Sequence, residues 1–186
     1  MYSRGCLQRQ PLFFTFTADF SSFSVAGKNQ LLVGLSIFAL EFTVLFMLYI
    51  SRKEHFNAAH KLYNPAWSKE KNTEVFGPCA NENWHGHNFD LIVTVKGSPD
   101  PETGFVVDMK KLSTLIRRDV VDKLDHKNIN MDVDFMKDKM ASCENLIVEI
   151  WKIIERGLPA ITSRGKLHCI RLYETPRNFV EYFGEK

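Results

Sequence analysis

The stretch His85-Gly86-His87-Asn88-Phe89-Asp90-Leu91-Ile92-Val93-Thr94-Val95-Lys96 alternates apolar and polar residues from Phe89 onward. Period two is the mark of a strand with one buried and one wetted face. The alternation predicts a strand over 88–96, entered through two histidines two residues apart. Side chains at that spacing point to one face, so both imidazoles can share a metal ion, with Gly86 leaving room between them. Upstream, Leu48, Ile50 and the segment to Phe56 read as an earlier strand running into Asn57-Ala58-Ala59-His60. If these two strands pair, the imidazoles of His60, His85 and His87 converge. Three histidines with a fourth position open is the donor set of a catalytic rather than a structural zinc site. Two histidines at this spacing equally describe surface side chains that only hydrogen-bond. The placement of His60 is what brings a metal into question.

Working outward, residues 61–84 hold Pro65, Gly77, Pro78 and several Asn, and read as a long loop. Gly97 to Gly104 is a turn, and Phe105 to Val107 a short returning strand that completes a hairpin. Asp108 can cap a helix through about Lys123, with Leu112, Leu115, Ile116, Val120 and Leu124 at helical spacing. Ser142 can cap a second helix with Leu146, Ile147, Ile150, Trp151 and Ile154 on its apolar face, ended by Gly157 and Pro159. Lys166 to Glu174 is a strand, Thr175 to Asn178 a turn, and Phe179 to Phe183 the last strand. The order ββααββ argues for an α+β fold with an antiparallel sheet.

The chain has 186 residues and a net charge of +2. That length suits one domain with an appendage, and the near-neutral balance gives no support for a nucleic-acid surface. None of Cys6, Cys79, Cys143 and Cys169 forms a C-x-x-C pair, which fits a reducing, cytoplasmic setting. Cys143 and Cys169 read as small buried or half-buried residues. Residues 1–45 differ in composition from the domain over 46–186 and are expected to be a poorly ordered or partly helical extension. The apolar stretch from Leu31 to Ile50 is long enough to span a bilayer. Glu41 within it, its late start, and the need for Leu48 and Ile50 in the first strand argue against that, so a membrane anchor is the second choice.

Other residues can carry chemistry around the histidines. Cys79, six residues before His85, can act as a base or nucleophile beside a metal, or close the site as a fourth ligand. Asp125-His126 can move a proton, or be an ordinary helix-end pair. Glu174, at a strand end, can grip an amidine-like N–H pair of a heterocycle in a bidentate way, or simply be solvated. Glu144 stands in the first turn of the second helix, where the helix dipole favours a carboxylate without any ligand. There is no Gly-rich dinucleotide fingerprint.

The ordered set Phe56-Asn57-Ala58-Ala59-His60, Phe76-Gly77-Pro78-Cys79, His85-Gly86-His87-Asn88, Leu124-Asp125-His126-Lys127-Asn128, Glu144-Asn145 and Tyr173-Glu174-Thr175 resembles the 6-pyruvoyl-tetrahydropterin synthase family over about residues 47–186. The resemblance implies the tunnelling fold: a four-stranded antiparallel sheet with two helices on one face. It implies trimers whose sheets join into a barrel, two trimers stacked as a hexamer, and active sites between subunits. It implies His60, His85 and His87 as zinc ligands, Cys79 as catalytic proton acceptor, and Asp125 with His126 as relay partners. Glu174 would anchor the pterin and Glu144 would be a second pterin contact. The family often has Thr-Thr before that Glu, where this chain has Ser142-Cys143.

The implied reaction converts 7,8-dihydroneopterin triphosphate to 6-pyruvoyl-tetrahydropterin with loss of triphosphate, a step of tetrahydrobiopterin biosynthesis. A sister group, 6-carboxy-tetrahydropterin synthase, takes the same substrate but usually places its Cys four residues before the first His. The spacing of six favours the pyruvoyl product. A catalytically silent pterin- or zinc-binding relative is the other alternative, and the presence of Cys79, Asp125 and His126 argues against it.

Overall fold

The computed structural model describes residues 46–185. The expected extension over 1–45 and most of the candidate span over 31–50 lie outside them. The end of that span, from Leu48, belongs to the first strand. Among the described residues no helix is long and apolar enough to cross a membrane.

Strand β1 (Leu48–His60) pairs antiparallel with β2 (His85–Gly97) along its whole length, with His60 opposite His85 and Leu48 opposite Gly97. Strand β4 (Gly165–Tyr173) pairs with the other edge of β2, and β5 (Phe179–Tyr182) with β4. A two-residue strand, β3 (Lys127–Asn128), adds in parallel to Ala58 and Ala59 of β1. The sheet order is β3-β1-β2-β4-β5. The expected four antiparallel strands are therefore all present, with a short fifth that composition did not announce.

The period-two pattern resolves into two faces. Phe56, Ala58, Phe89, Leu91, Val93, Val95, Ile170 and Leu172 are buried. The opposite face is polar and internally paired: Lys53 with Asp90 at 2.7 Å, Ser51 with Thr94 at 2.8 Å, and Arg171 with Glu181 at 2.6 Å. This is the one-sided burial typical of antiparallel sheets.

The apolar face is covered by helices. Asp108 accepts from the backbone N–H groups of Lys110 and Lys111 and so caps α2 (Met109–Ile116). A wide π turn (Arg117–Val121) and α3 (Asp122–Leu124) continue the helical path. Helix α4 (Cys143–Gly157) is capped by the Ser142 side chain, and its buried residues are the five apolar ones that its spacing predicts. All these side chains join one core.

Two expectations fail. No strand forms over Phe105–Val107, because both edges of β2 are already taken by β1 and β4. Phe105 instead closes a loop, its carbonyl accepting from the Asp100 N–H at 2.9 Å, while Val106 and Val107 turn into the core. Nor is 61–84 a structureless loop. Ser68 caps α1 (Lys69–Phe76), and a 3₁₀ turn follows at Gly77–Ala80. The side chain of Asn72, fully buried, holds the approach: its oxygen accepts from Asn64 N–H, and its NH₂ donates to the carbonyls of Asn64, Trp67 and Ser68. A polar residue that satisfies so much backbone behaves as core, which a reading by hydrophobicity misses.

Candidate metal centre and adjoining cleft

The register of β1 on β2 builds the centre. His60 faces His85, Ala58 faces His87, and Phe56 faces Phe89. All six lie on the helix-covered side of the sheet. The apolar row of the core thus ends in three imidazoles, with the small Ala58 leaving space opposite His87. Ring centroids are 4.5 Å apart for His60–His85, 4.9 Å for His85–His87 and 5.1 Å for His60–His87. Each offers a donor nitrogen, and the three lie within 4.8 Å of one another.

Gly86 has a different job from the one its position suggested. It faces the other side of the sheet, where an added Cβ would press on the Ala58 carbonyl oxygen at 3.1 Å. Its role is close backbone approach between strands, not space between imidazoles.

The donor atoms have the surroundings of metal ligands. His60 Nε2, both nitrogens of His85 and His87 Nε2 are buried without a hydrogen-bond partner. Leaving such atoms unpaired is costly, and a shared cation would satisfy one nitrogen of each imidazole. His60 Nδ1 lies 2.7 Å from the carbonyl oxygen of Ala141. A carbonyl only accepts, so the proton sits on Nδ1 and the Nε2 lone pair is turned to the centre, as in ligating histidines. Burial pushes the pKa of all three imidazoles down, with a histidine neighbour adding to the effect at each. Glu174 opposes this at each, and the net direction favours the neutral form, which binds metal.

Beside the centre is a cleft of about 410 Å³ lined by His60, Cys79, Cys143, Glu144 and Glu174, among others. Cys79 sits on the 3₁₀ turn after α1, tied to the segment that follows β1 by its carbonyl, which accepts from Leu62 N–H at 2.9 Å. Glu174 follows β4 on the same side as the buried Leu172 and reaches the histidines. Its Oε1 lies 3.5 Å from His60 Nε2 and 3.6 Å from His87 Nε2. The expected turn after it is present, with Glu174 N–H donating to the Asn178 carbonyl at 3.0 Å. Glu144 is exposed at the start of α4, on the rim of this cleft. Burial and the Glu174 charge push the Cys79 thiol up from its ordinary pKa.

Asp125 and His126 lie elsewhere. They follow α3, and His126 lines a second, more open cleft of about 560 Å³ together with His87, Asn88 and Lys127. Asp125 Oδ1 accepts from Asn57 N–H at 2.8 Å, and Oδ2 lies 2.9 Å from His126 Nδ1. The Asn57 N–H and then His126 hold the Asp125 carboxyl below its usual range, against the effect of burial. The pair is formed as expected, but neither residue lines the cleft that holds Cys79 and Glu174.

Two contributors went unread in the sequence. The Ala141 carbonyl carries no side-chain signal at all. Cys143 is half-buried, as its reading expected, and it also lines the cleft, with its thiol 3.4 Å from Glu174 Oε1. Burial first, then the Glu174 charge, push that thiol strongly up. Its place beside the cap Ser142 in the first turn of α4 was the available clue.

Comparison with known proteins agrees with this geometry. The family described as 6-pyruvoyl tetrahydropterin synthase matches residues 49–185. The 6-pyruvoyl tetrahydrobiopterin synthases of Pongo abelii and Homo sapiens are 41% and 40% identical, each over 136 residues, covering 73% of this chain and 91% of theirs. The solved structure of the Caenorhabditis elegans 6-pyruvoyl tetrahydropterin synthase superposes with a TM-score of 0.67 at 33% identity, over 76% of this chain and 98% of that one.

Proposed function

The chain belongs to the 6-pyruvoyl tetrahydropterin synthase family, and from that premise we propose that it converts 7,8-dihydroneopterin triphosphate to 6-pyruvoyl-tetrahydropterin with loss of triphosphate, dependent on zinc. The observation that carries this reading is the convergence of buried, unpartnered nitrogens of His60, His85 and His87 beside a cleft that holds Cys79 and Glu174. The three histidines would hold the metal. A zinc ion there would polarise the side-chain hydroxyls of the substrate and draw the Cys79 thiol back towards its thiolate. Cys79 removes a proton from the activated side chain, and triphosphate leaves by elimination. Glu174 anchors the N–H pair of the pterin ring, with Glu144 at the rim as a second contact. His126, oriented by Asp125, handles protons during the internal redox rearrangement.

Asp125 and His126 do this from a neighbouring copy of the chain. Support for a shared site is that they line a different cleft from Cys79. Beyond Ala58 and Ala59, the outer edge of β1 has no strand partner among the described residues. Joining sheets into a ring closes such edges, and a hexamer of two stacked trimers is the assembly we assign. Residues 46–186 are the catalytic domain, preceded by an extension over 1–45, and the setting is cytoplasmic.

The test is metal analysis of purified protein combined with triphosphate release and product identification. About one zinc per chain and a pyruvoyl product are expected. The 6-carboxy compound as main product would overturn the choice of reaction, and absence of turnover with zinc bound would leave a silent binder.

A further inference from the structure

Cys143 has no part in the chemistry just described, yet its thiol lies in the same cleft as Cys79 and Glu174. It is the first residue of α4, immediately after the cap Ser142, so its position is set by the helix end rather than by a loop. Its Sγ lies 3.4 Å from Glu174 Oε1, the oxygen that also faces His60 and His87. Among the described residues it is the one hydrogen-bond donor to this carboxylate.

The final torsion of a glutamate side chain is soft and broad. A carboxylate that must present both oxygens in one plane to a heterocycle needs something to hold that plane. An ionised carboxylate only accepts, and each oxygen has two lone-pair sites. Oε1 can therefore take the thiol and still face the ligand.

We propose that Cys143 is a positioning residue, whose S–H donates to Glu174 Oε1 and fixes the plane of the carboxylate that anchors the substrate. This inference rests on the reading of Glu174 as that anchor. A thiol is a weak donor, so the effect is on preorganisation and moderate in size. A hydroxyl in the same place would serve as well, and an isosteric methyl would not.

The experiment compares Cys143→Val with Cys143→Thr in the full, zinc-loaded chain. The two side chains have the same shape and differ in the donor. For Cys143→Val, KM for 7,8-dihydroneopterin triphosphate should rise about 5-fold, with kcat within about twofold of wild type. Zinc content and thermal midpoint should match wild type. Cys143→Thr should restore KM to within about twofold. Equal kinetics for the two variants would overturn the proposal, as would a KM loss that tracks lower zinc content or a lower midpoint. Wild-type turnover is measured in the same series. Its absence removes the functional reading and this inference with it. Its presence with an unaltered Cys143→Val enzyme removes Cys143 alone.

Discussion

The histidine centre and the Asp125–His126 pair both attach near the end of β1, through His60 and Asn57, yet they are built in opposite ways. The centre lies on the helix-covered face, with His60 only 2% exposed, and four of its six ring nitrogens have no hydrogen-bond partner. The pair is on the rim, with side chains 37% and 78% exposed, and its polar atoms are paired with each other and with Asn57. The first converges three imidazoles on one point. The second is satisfied chemically but looks away from Cys79. The difference teaches that one chain brings together three imidazoles that could hold a metal ion, whereas it leaves Asp125–His126 on a different cleft from Cys79.

Three substitutions test that contrast. The largest effect is expected from His85→Ala, which removes one of the three imidazoles converging where β1 and β2 pair. Metal affinity should fall more than ~100-fold, beyond the range typical of an outer-shell change. A chelator-competition titration measures it, and unchanged affinity would mean the three imidazoles do not share an ion. Next, Asp125→Asn should lower turnover by roughly 10²–10⁴-fold, the usual range for acid–base groups, with zinc content unaltered. Mixing and reassembling such chains with Cys79→Ala chains should restore activity in roughly a quarter of the sites if each site joins two copies. No recovery after verified subunit exchange would place the whole relay within one chain.

The smallest effect is expected from Asn130→Ala. Its amide oxygen accepts from Lys61 N–H, and its NH₂ donates to the Lys61 carbonyl, so it pins the loop after Asp125–His126 to the residue that follows β1. Chemical denaturation should show a loss of about 1 kcal/mol, with zinc affinity within about twofold of wild type. A large loss of zinc would show that the two regions are not separable.

Much of this was legible from local pattern. Period-two alternation announced β2 and its faces, and the caps Asp108 and Ser142 announced α2 and α4, because these signals depend only on neighbours along the chain. The histidine triad was legible once β1 and β2 were taken to pair, since antiparallel register follows from matching the two apolar faces. Helix α1 was not legible: its stability comes from Asn72 bonding to backbone eight and five residues away, not from an apolar stripe. The missing strand at Phe105–Val107 depended on β4 claiming the edge of β2 from some seventy residues downstream.

The sequence by itself determined which residue types could do chemistry, the α+β class and the face on which His85 and His87 point, because side-chain periodicity is a property of the backbone. Only the tertiary structure decided what those residues meet. It set the Ala141 carbonyl on His60, the Cys143 thiol on Glu174, and Asp125–His126 on a wall away from Cys79. Each of these contacts joins segments far apart in the chain, where register and helix docking, rather than local propensity, choose the neighbour.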